Sequence, residues 1–142
     1  MKTSVLLAAM AGLGIFAAGP ARAQDAAAGE KVFVKCKVCH QIGETAKNAV
    51  GPALTGIVGR KAGTYPGYNY SEANKNSGLV WDEPTLTVYL KNPKAKVPGT
   101  KMTFAGLQSD EDIANVIAYL KTFPGPAPGA STTPAAAPSP AN

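Results

Sequence analysis

The sequence predicts an all-α protein of one small domain, with short helices joined by long loops. Three observations predict it. The segment from Ser109 to Lys121 carries a strong 3.6-residue apolar stripe, no segment shows the period-2 alternation of a half-buried strand, and the remaining apolar residues are too sparse to fill a core by themselves. A body of this kind is short of core unless something other than side chains fills its centre.

The ends of the chain set the size of that body. Of the 142 residues, the first 23 read as a removable leader: Lys2 gives a positive start, Val5 to Ala18 is an apolar run, and Ala21, Arg22 and Ala23 form a small-x-small cleavage site. The run is 14 residues, short of the roughly 20 needed to span a bilayer. Residues 124–142 are almost wholly Pro, Ala, Gly, Ser and Thr and read as a disordered tail. Between them lie the 100 residues from Gln24 to Phe123, one ordinary domain with nine of the ten aromatic residues. The mature chain is expected to begin at Gln24 and to be exported, most simply to a bacterial periplasm, with no membrane insertion once the leader is gone. Two of the five net positive charges, Lys2 and Arg22, leave with it, and the resulting +3 is too mild for a dedicated nucleic-acid binder. Two cysteines cannot staple a disulfide scaffold, and one domain leaves no room for large multidomain catalysis.

The elements follow in order. Asp25 is an N-cap for a helix to about Lys37 that would bring Phe33, Cys36 and His40 onto one face. Gln41 to Gly67, rich in glycine, is loop. Ser71 caps a short helix to Ser77, stopped by Gly78. Asp82 caps a third helix with Pro84 in its first turn, Leu86, Tyr89 and Leu90 on its apolar face and Pro93 just past its end. Lys94 to Leu107 is loop, with a turn at Pro98 and Gly99. Ser109 caps the last helix, whose first turn holds Asp110, Glu111 and Asp112 at the positive end of the dipole, whose stripe is Ile113, Val116, Ile117 and Leu120, and which Pro124 and Gly125 stop.

The chemistry lies in Cys36, Lys37, Val38, Cys39 and His40, a C-x-x-C-H run that is the attachment signal for c-type haem. Two thiols can add to the two vinyl groups of a haem, two intervening residues let both sulfurs meet one edge, and the adjacent histidine turns its imidazole toward the iron. Three other readings compete. A thioredoxin-like pair needs a βαβ setting, which the pattern lacks. A structural zinc site needs four ligands, and no other Cys or His exists. A plain disulfide would leave His40 without a role.

Once the leader is removed, Met102 is the only methionine and His40 the only histidine. A lone methionine is more often core filler than ligand. This one sits in a Pro/Gly/Lys loop, 62 residues beyond His40, where packing alone would more naturally place it on a helix. His/Met ligation would raise the haem potential relative to two nitrogen ligands and would close both axial positions.

The body resembles the class I c-type cytochromes, mitochondrial cytochrome c and its soluble bacterial relatives among them. The resemblance runs from Gly29 to Leu120 and rests on the ordered series Cys36 to His40, Gly51 to Leu54, Gly59 to Lys61, Gly67 to Lys75, Trp81, Tyr89 to Pro93 and Pro98 to Met102. It implies one covalent haem c, thioether-bound through Cys36 and Cys39, with His40 and Met102 on the iron. It implies that the Pro52 carbonyl takes the proton on His40 Nδ1 and that Arg60, Tyr70, Trp81 and Thr100 bond the propionates. It also implies that Tyr89 and Asn74 are a polar pair beside Met102, that Gly29, Phe33, Tyr119 and Leu120 join the first and last helices, and that Phe104 covers the exposed haem edge. Lys35, Lys94 and Lys101 match a basic ring that meets acidic redox partners, which Lys37, Lys47 and Lys96 would extend. The function implied is that of an electron-transfer protein and not an enzyme: a soluble monomeric carrier between membrane redox complexes or a periplasmic dehydrogenase and an oxidase or reaction centre. Two features depart from the mitochondrial pattern, the Gln41 to Val50 loop with Lys47 as its only lysine and the Pro-rich tail. A haem enzyme or small-ligand sensor would instead need an open iron site.

Overall fold

The computed structural model describes residues 24–125. The expected leader and all but the first two residues of the expected tail lie outside them. Among the described residues no helix is long and apolar enough to cross a membrane.

Five helices occur in the order α1 (Ala26–Phe33), α2 (Glu72–Lys75), α3 (Glu83–Lys91), α4 (Pro93–Lys96) and α5 (Asp110–Lys121). Each begins where a short polar side chain can take up the free N–H groups of a first turn. Asp25 accepts from Ala27 and Ala28, Ser71 from Asn74, Asp82 from Thr85, Asn92 from Ala95 and Ser109 from Asp112. Two expectations change. The first helix stops at Phe33 instead of Lys37, and the chain runs on in tight turns, with Cys36 N–H bonded to Phe33 O at 2.8 Å and His40 N–H to Cys36 O at 2.9 Å. The segment expected as loop after Pro93 contains one helical turn, α4, because Asn92 caps it and proline's fixed φ suits a first helical position. The β-structure among the described residues is a single isolated bridge between Lys61 and Val80.

The frame is the crossing of α1 on α5. A Cβ added at Gly29 would lie 1.9 Å from the Asn115 carbonyl oxygen, so the helices meet backbone to backbone at a position only glycine can fill. Phe33, Ile113, Val116 and Ile117 are sealed around this crossing, and Phe33 leans on Tyr119 with ring centroids 5.2 Å apart. The buried Asn115 reaches back from α5 to accept the Asp25 N–H at 2.9 Å. Beside it, Gln24 Nε2 donates to Glu83 Oε1 at the start of α3, and Lys121 Nζ of α5 holds Glu83 Oε2 at 3.0 Å. At the other terminus Gly56 N–H donates to Phe123 O at 2.8 Å and the backbone of Gly125 lies against Gly56, so close that a Cβ on Gly56 would come within 2.4 Å of it. The packed body thus extends through Gly125.

Candidate functional site

The loops and helices leave between them a cleft of about 330 Å³, within the range of small-molecule and cofactor sites. Its lining comes from Phe33 and Cys36, from Trp81, Leu86, Tyr89 and Leu90 of the α3 region, from Val116 and Leu120 of α5, and from the loop Thr100 to Phe104. Among its described lining residues are two lysines, Lys35 and Lys101, and no Asp or Glu.

His40 is fixed from behind. Its Nδ1 lies 2.7 Å from the Pro52 carbonyl, which can only accept, so Nδ1 carries the proton and Nε2 keeps its lone pair. Gly51 is stacked so tightly on the ring that a Cβ there would lie 2.3 Å from His40 Cε1. Burial holds the imidazole pKa below its ordinary value, against the Pro52 bond and with the help of the Arg60 charge. A neutral imidazole with one free nitrogen and a satisfied partner on the other is what a metal ligand needs.

Cys36 and Cys39 are unpaired, half-buried thiols on the same wall. The turn that follows α1 presents both, with Cys39 N–H bonded to Cys36 O at 3.1 Å. Burial pushes the Cys36 thiol up to about 11, the Lys35 charge pulling weakly the other way and Cys39 adding to the rise.

Met102 lines the same cleft, half-buried. The Tyr89 hydroxyl donates to its Sδ at 3.3 Å, Met102 N–H donates to Thr100 Oγ1 at 3.2 Å, and Lys101 Nζ ties the loop to Asn69 O at 3.1 Å. Tyr89 is buried against Trp81, ring centroids 4.6 Å apart, and burial pushes its hydroxyl pKa up. Asn74 Oδ1 is buried in this cleft with no hydrogen-bond partner among the described residues. A buried acceptor left unpaired is costly, so it marks a place where a bound group or water supplies a donor.

The structure brings Cys36, Cys39, His40, Pro52, Tyr70, Asn74, Trp81, Tyr89, Thr100, Met102 and Phe104 to one cleft. Arg60 stands behind the lining, its guanidinium donating to Ala53 O and Thr55 O at 3.2 Å and stacked 4.6 Å over Tyr65. Lys35 and Lys101 stand at the cleft, whereas Lys94 lies on α4 and outside the lining. Sequence reasoning gave no role to Tyr68, which lines the cleft, packs edge-on to Tyr70 at 4.8 Å and donates to Val50 O at 2.7 Å. It also passed over Asn48, which accepts from Ala53 N–H and donates to Pro66 O at 2.9 Å, stitching two loops together. The two tyrosines at i and i+2 were the available signal for the first; nothing local marked the second.

Two thiols with two residues between them, a neutral imidazole beside them, a thioether on the same cleft and an orphaned amide oxygen inside it are a donor set that fits a covalently attached haem. Fold and site together define a haem-bearing electron-transfer protein. The family model for Cytochrome c matches residues 26–124. The chain is 59% identical over 117 residues to cytochrome c-554 of Methylosinus trichosporium, covering 82% of this chain and 89% of that protein. It is 54% identical over 114 residues to cytochrome c2 of Blastochloris viridis, covering 79% and 90%. Among solved structures, cytochrome cH from Methylobacterium extorquens matches with a TM-score of 0.66 and 54% identity over 69% of this chain and 98% of that one. Cytochrome c2 from Rhodospirillum centenum matches with a TM-score of 0.68 and 42% identity over 71% and 99%. The chain belongs to the cytochrome c family. It is an electron carrier with one covalent haem c and not an enzyme.

Proposed function

We propose that the protein is an exported, periplasmic, monomeric one-electron carrier whose haem iron His40 and Met102 would hold. In this reading residues 1–23 are the leader, 24–123 the haem domain and 124–142 a tail whose second residue, Gly125, is still packed on that domain, and the carrier runs between membrane redox complexes or a periplasmic dehydrogenase and an oxidase or reaction centre. The observation that carries the ligand assignment is that both donors face one cleft and each is fixed by a hydrogen bond, His40 through Pro52 and Met102 through Tyr89.

The bound haem supplies a metal centre that takes up and gives back one electron. The protein's own residues do the rest. Cys36 and Cys39 hold the group by thioether bonds, which an exported protein cannot lose by dissociation. Pro52 and Gly51 keep His40 in one tautomer and one orientation. The Tyr89 bond holds Met102 in place, so that neither donor has to move when charge changes. Trp81, Leu86, Leu90 and Phe104 exclude water, which lowers the reorganisation that accompanies the transfer. Arg60, Tyr70, Trp81 and Thr100 are the proposed partners of the propionates, and Asn74, whose side-chain oxygen has no partner among the described residues, is with Tyr89 the proposed polar pair beside Met102. Lys35 and Lys101 at the cleft, with Lys94 on α4, orient an acidic partner for brief encounters.

An optical and redox titration of protein purified from periplasm tests this reading. The ferric form is expected to show the far-red sulfur-to-iron band and to bind cyanide slowly. Met102→Ala is expected to keep covalent haem, lose that band and drop in potential. An unchanged potential overturns the ligand assignment.

A further inference from the structure

We propose that Tyr65 sets the strength of the Arg60 charge at the cleft: its ring closes one face of the guanidinium against water and so raises the reduction potential of the bound haem. Tyr65 is not among the residues that line the cleft, so it is a positioning residue that acts through Arg60. The inference rests on the reading that Arg60 serves the haem.

The Arg60 guanidinium is half-buried, donates to Ala53 O and Thr55 O at 3.2 Å and lies 4.6 Å from the centroid of the Tyr65 ring. No carboxylate pairs with it among the described residues. Its charge is therefore not neutralised, and it is felt in the cleft, where it helps to hold the His40 imidazole below its ordinary pKa. A positive charge in that place disfavours the oxidised, more positive state of the iron. How strongly it does so depends on the medium, since two charges interact roughly four times more at an effective dielectric of about 20 than in water. An aromatic face suits such a cover, because it attracts the cation while it keeps water away.

The backbone that carries the ring is tied on both sides. Thr64 Oγ1 donates to Lys61 O at 2.7 Å, and Asn48 Nδ2 donates to Pro66 O at 2.9 Å. The Tyr70 hydroxyl is hydrogen-bonded to the Tyr65 backbone. Gly63 is pressed on the end of α2, where an added Cβ would lie 2.7 Å from Lys75 Cα. The stacking thus belongs to a fastened turn and not to a free surface side chain.

Equilibrium redox titration of the haem-loaded protein at low and high salt tests this, with the haem spectrum and melting temperature as checks on folding. In Tyr65→Ala the equilibrium constant for reduction is expected to fall about threefold, which is about 28 mV at 59 mV per factor of ten, and the potential is expected to vary more steeply with salt. Tyr65→Phe keeps the ring face and is expected to hold the wild-type potential. In an Arg60→Leu background Tyr65→Ala is expected to change the potential no further, and Arg60→Gln serves in its place should the leucine variant fold poorly. A second readout needs no electron transfer. An arginine-selective dicarbonyl, its adducts located by peptide mass spectrometry, is expected to label Arg60 in Tyr65→Ala and to spare it in wild type and Tyr65→Phe. The inference is overturned by an unchanged potential in Tyr65→Ala, by an equal fall in Tyr65→Phe, by a fall that persists without Arg60, or by equal labelling of the three proteins. Each of these leaves the role of Arg60 standing so long as its removal lowers the potential. A potential that does not fall when Arg60 is removed overturns that role and this inference with it.

Discussion

The Tyr89 hydroxyl donates to the sulfur of Met102 at 3.3 Å, across 13 residues of chain. It ties α3 to the loop that covers the cleft and withdraws electron density from the one thioether in the described structure. The hydroxyl is buried behind Trp81 and also hydrogen-bonds the Thr100 side chain, on the same covering loop.

Removing that hydroxyl is the most local test of the site. In Tyr89→Phe the ring packing stays and the bond to sulfur goes, so the sulfur becomes a better donor to the oxidised metal and the potential falls. A hydrogen bond worth about 0.5–1.5 kcal/mol corresponds to a fall of roughly 20–65 mV at 59 mV per factor of ten. Equilibrium redox titration measures it, and a rise in potential would contradict the assignment.

Gly29→Ala tests the helix crossing. The added Cβ meets the Asn115 carbonyl at 1.9 Å and the Tyr119 Cβ at 2.9 Å, neither of which is a flexible side-chain end. The expected loss is about 1–3 kcal/mol or more, as for overpacked cores, read from urea unfolding of the haem-loaded protein.

Arg60→Leu removes the donor that serves the Ala53 and Thr55 carbonyls. Leaving partly buried acceptors unpaired is expected to cost about 2 kcal/mol. Lysine is expected to restore less than half of that, because one ammonium cannot copy the planar fork that spans both oxygens. Thermal melts of the three proteins measure the order.

Charge reversal at the mouth of the cleft tests docking. Lys101→Glu is expected to slow association with an acidic redox partner several-fold at low ionic strength, with the difference shrinking as salt is added. The potential should move little. Stopped-flow electron transfer across a salt series separates this from damage to the site.

Glu83 gives a pH prediction. Bonds from Gln24 and Lys121 hold its folded pKa below the ordinary 4.5, so the folded state binds fewer protons than the unfolded one in that region. Its contribution is therefore complete above about pH 4.5 and is lost as pH falls through the lower folded value. Because the side chain is 38% exposed and so screened by water, Glu83→Gln should flatten the acid limb of stability by less than about 0.5 kcal/mol. Urea midpoints at pH 3 to 6 measure the slope.

The sequence was legible where a rule acts over a few residues. Asp25, Ser71, Asp82 and Ser109 cap helices as their chemistry suggests, and the stripe Ile113, Val116, Ile117 and Leu120 is buried as its period demands. It was less legible where tertiary packing decides. The end of α1 at Phe33 reflects the need to turn both cysteines toward the cleft, which no propensity encodes. The α4 turn hides in a lysine-rich stretch because its cap, Asn92, also terminates α3. Most of the residues at the cleft were found through family resemblance and not through local pattern. Arg60 shows the limit of that route: residue identity alone gave no hint that its guanidinium is engaged by backbone carbonyls of the loop before it.

The Gly56–Gly125 crossing has a practical corollary for anyone who trims or fuses this chain. Leu54 and Ile57, on either side of that crossing, help to wall the cleft. A cargo joined after Gly125 would hang from a root already fastened to the body, whereas a cut after Phe123 would keep the bond from Gly56 N–H to Phe123 O but discard the glycine that abuts Gly56.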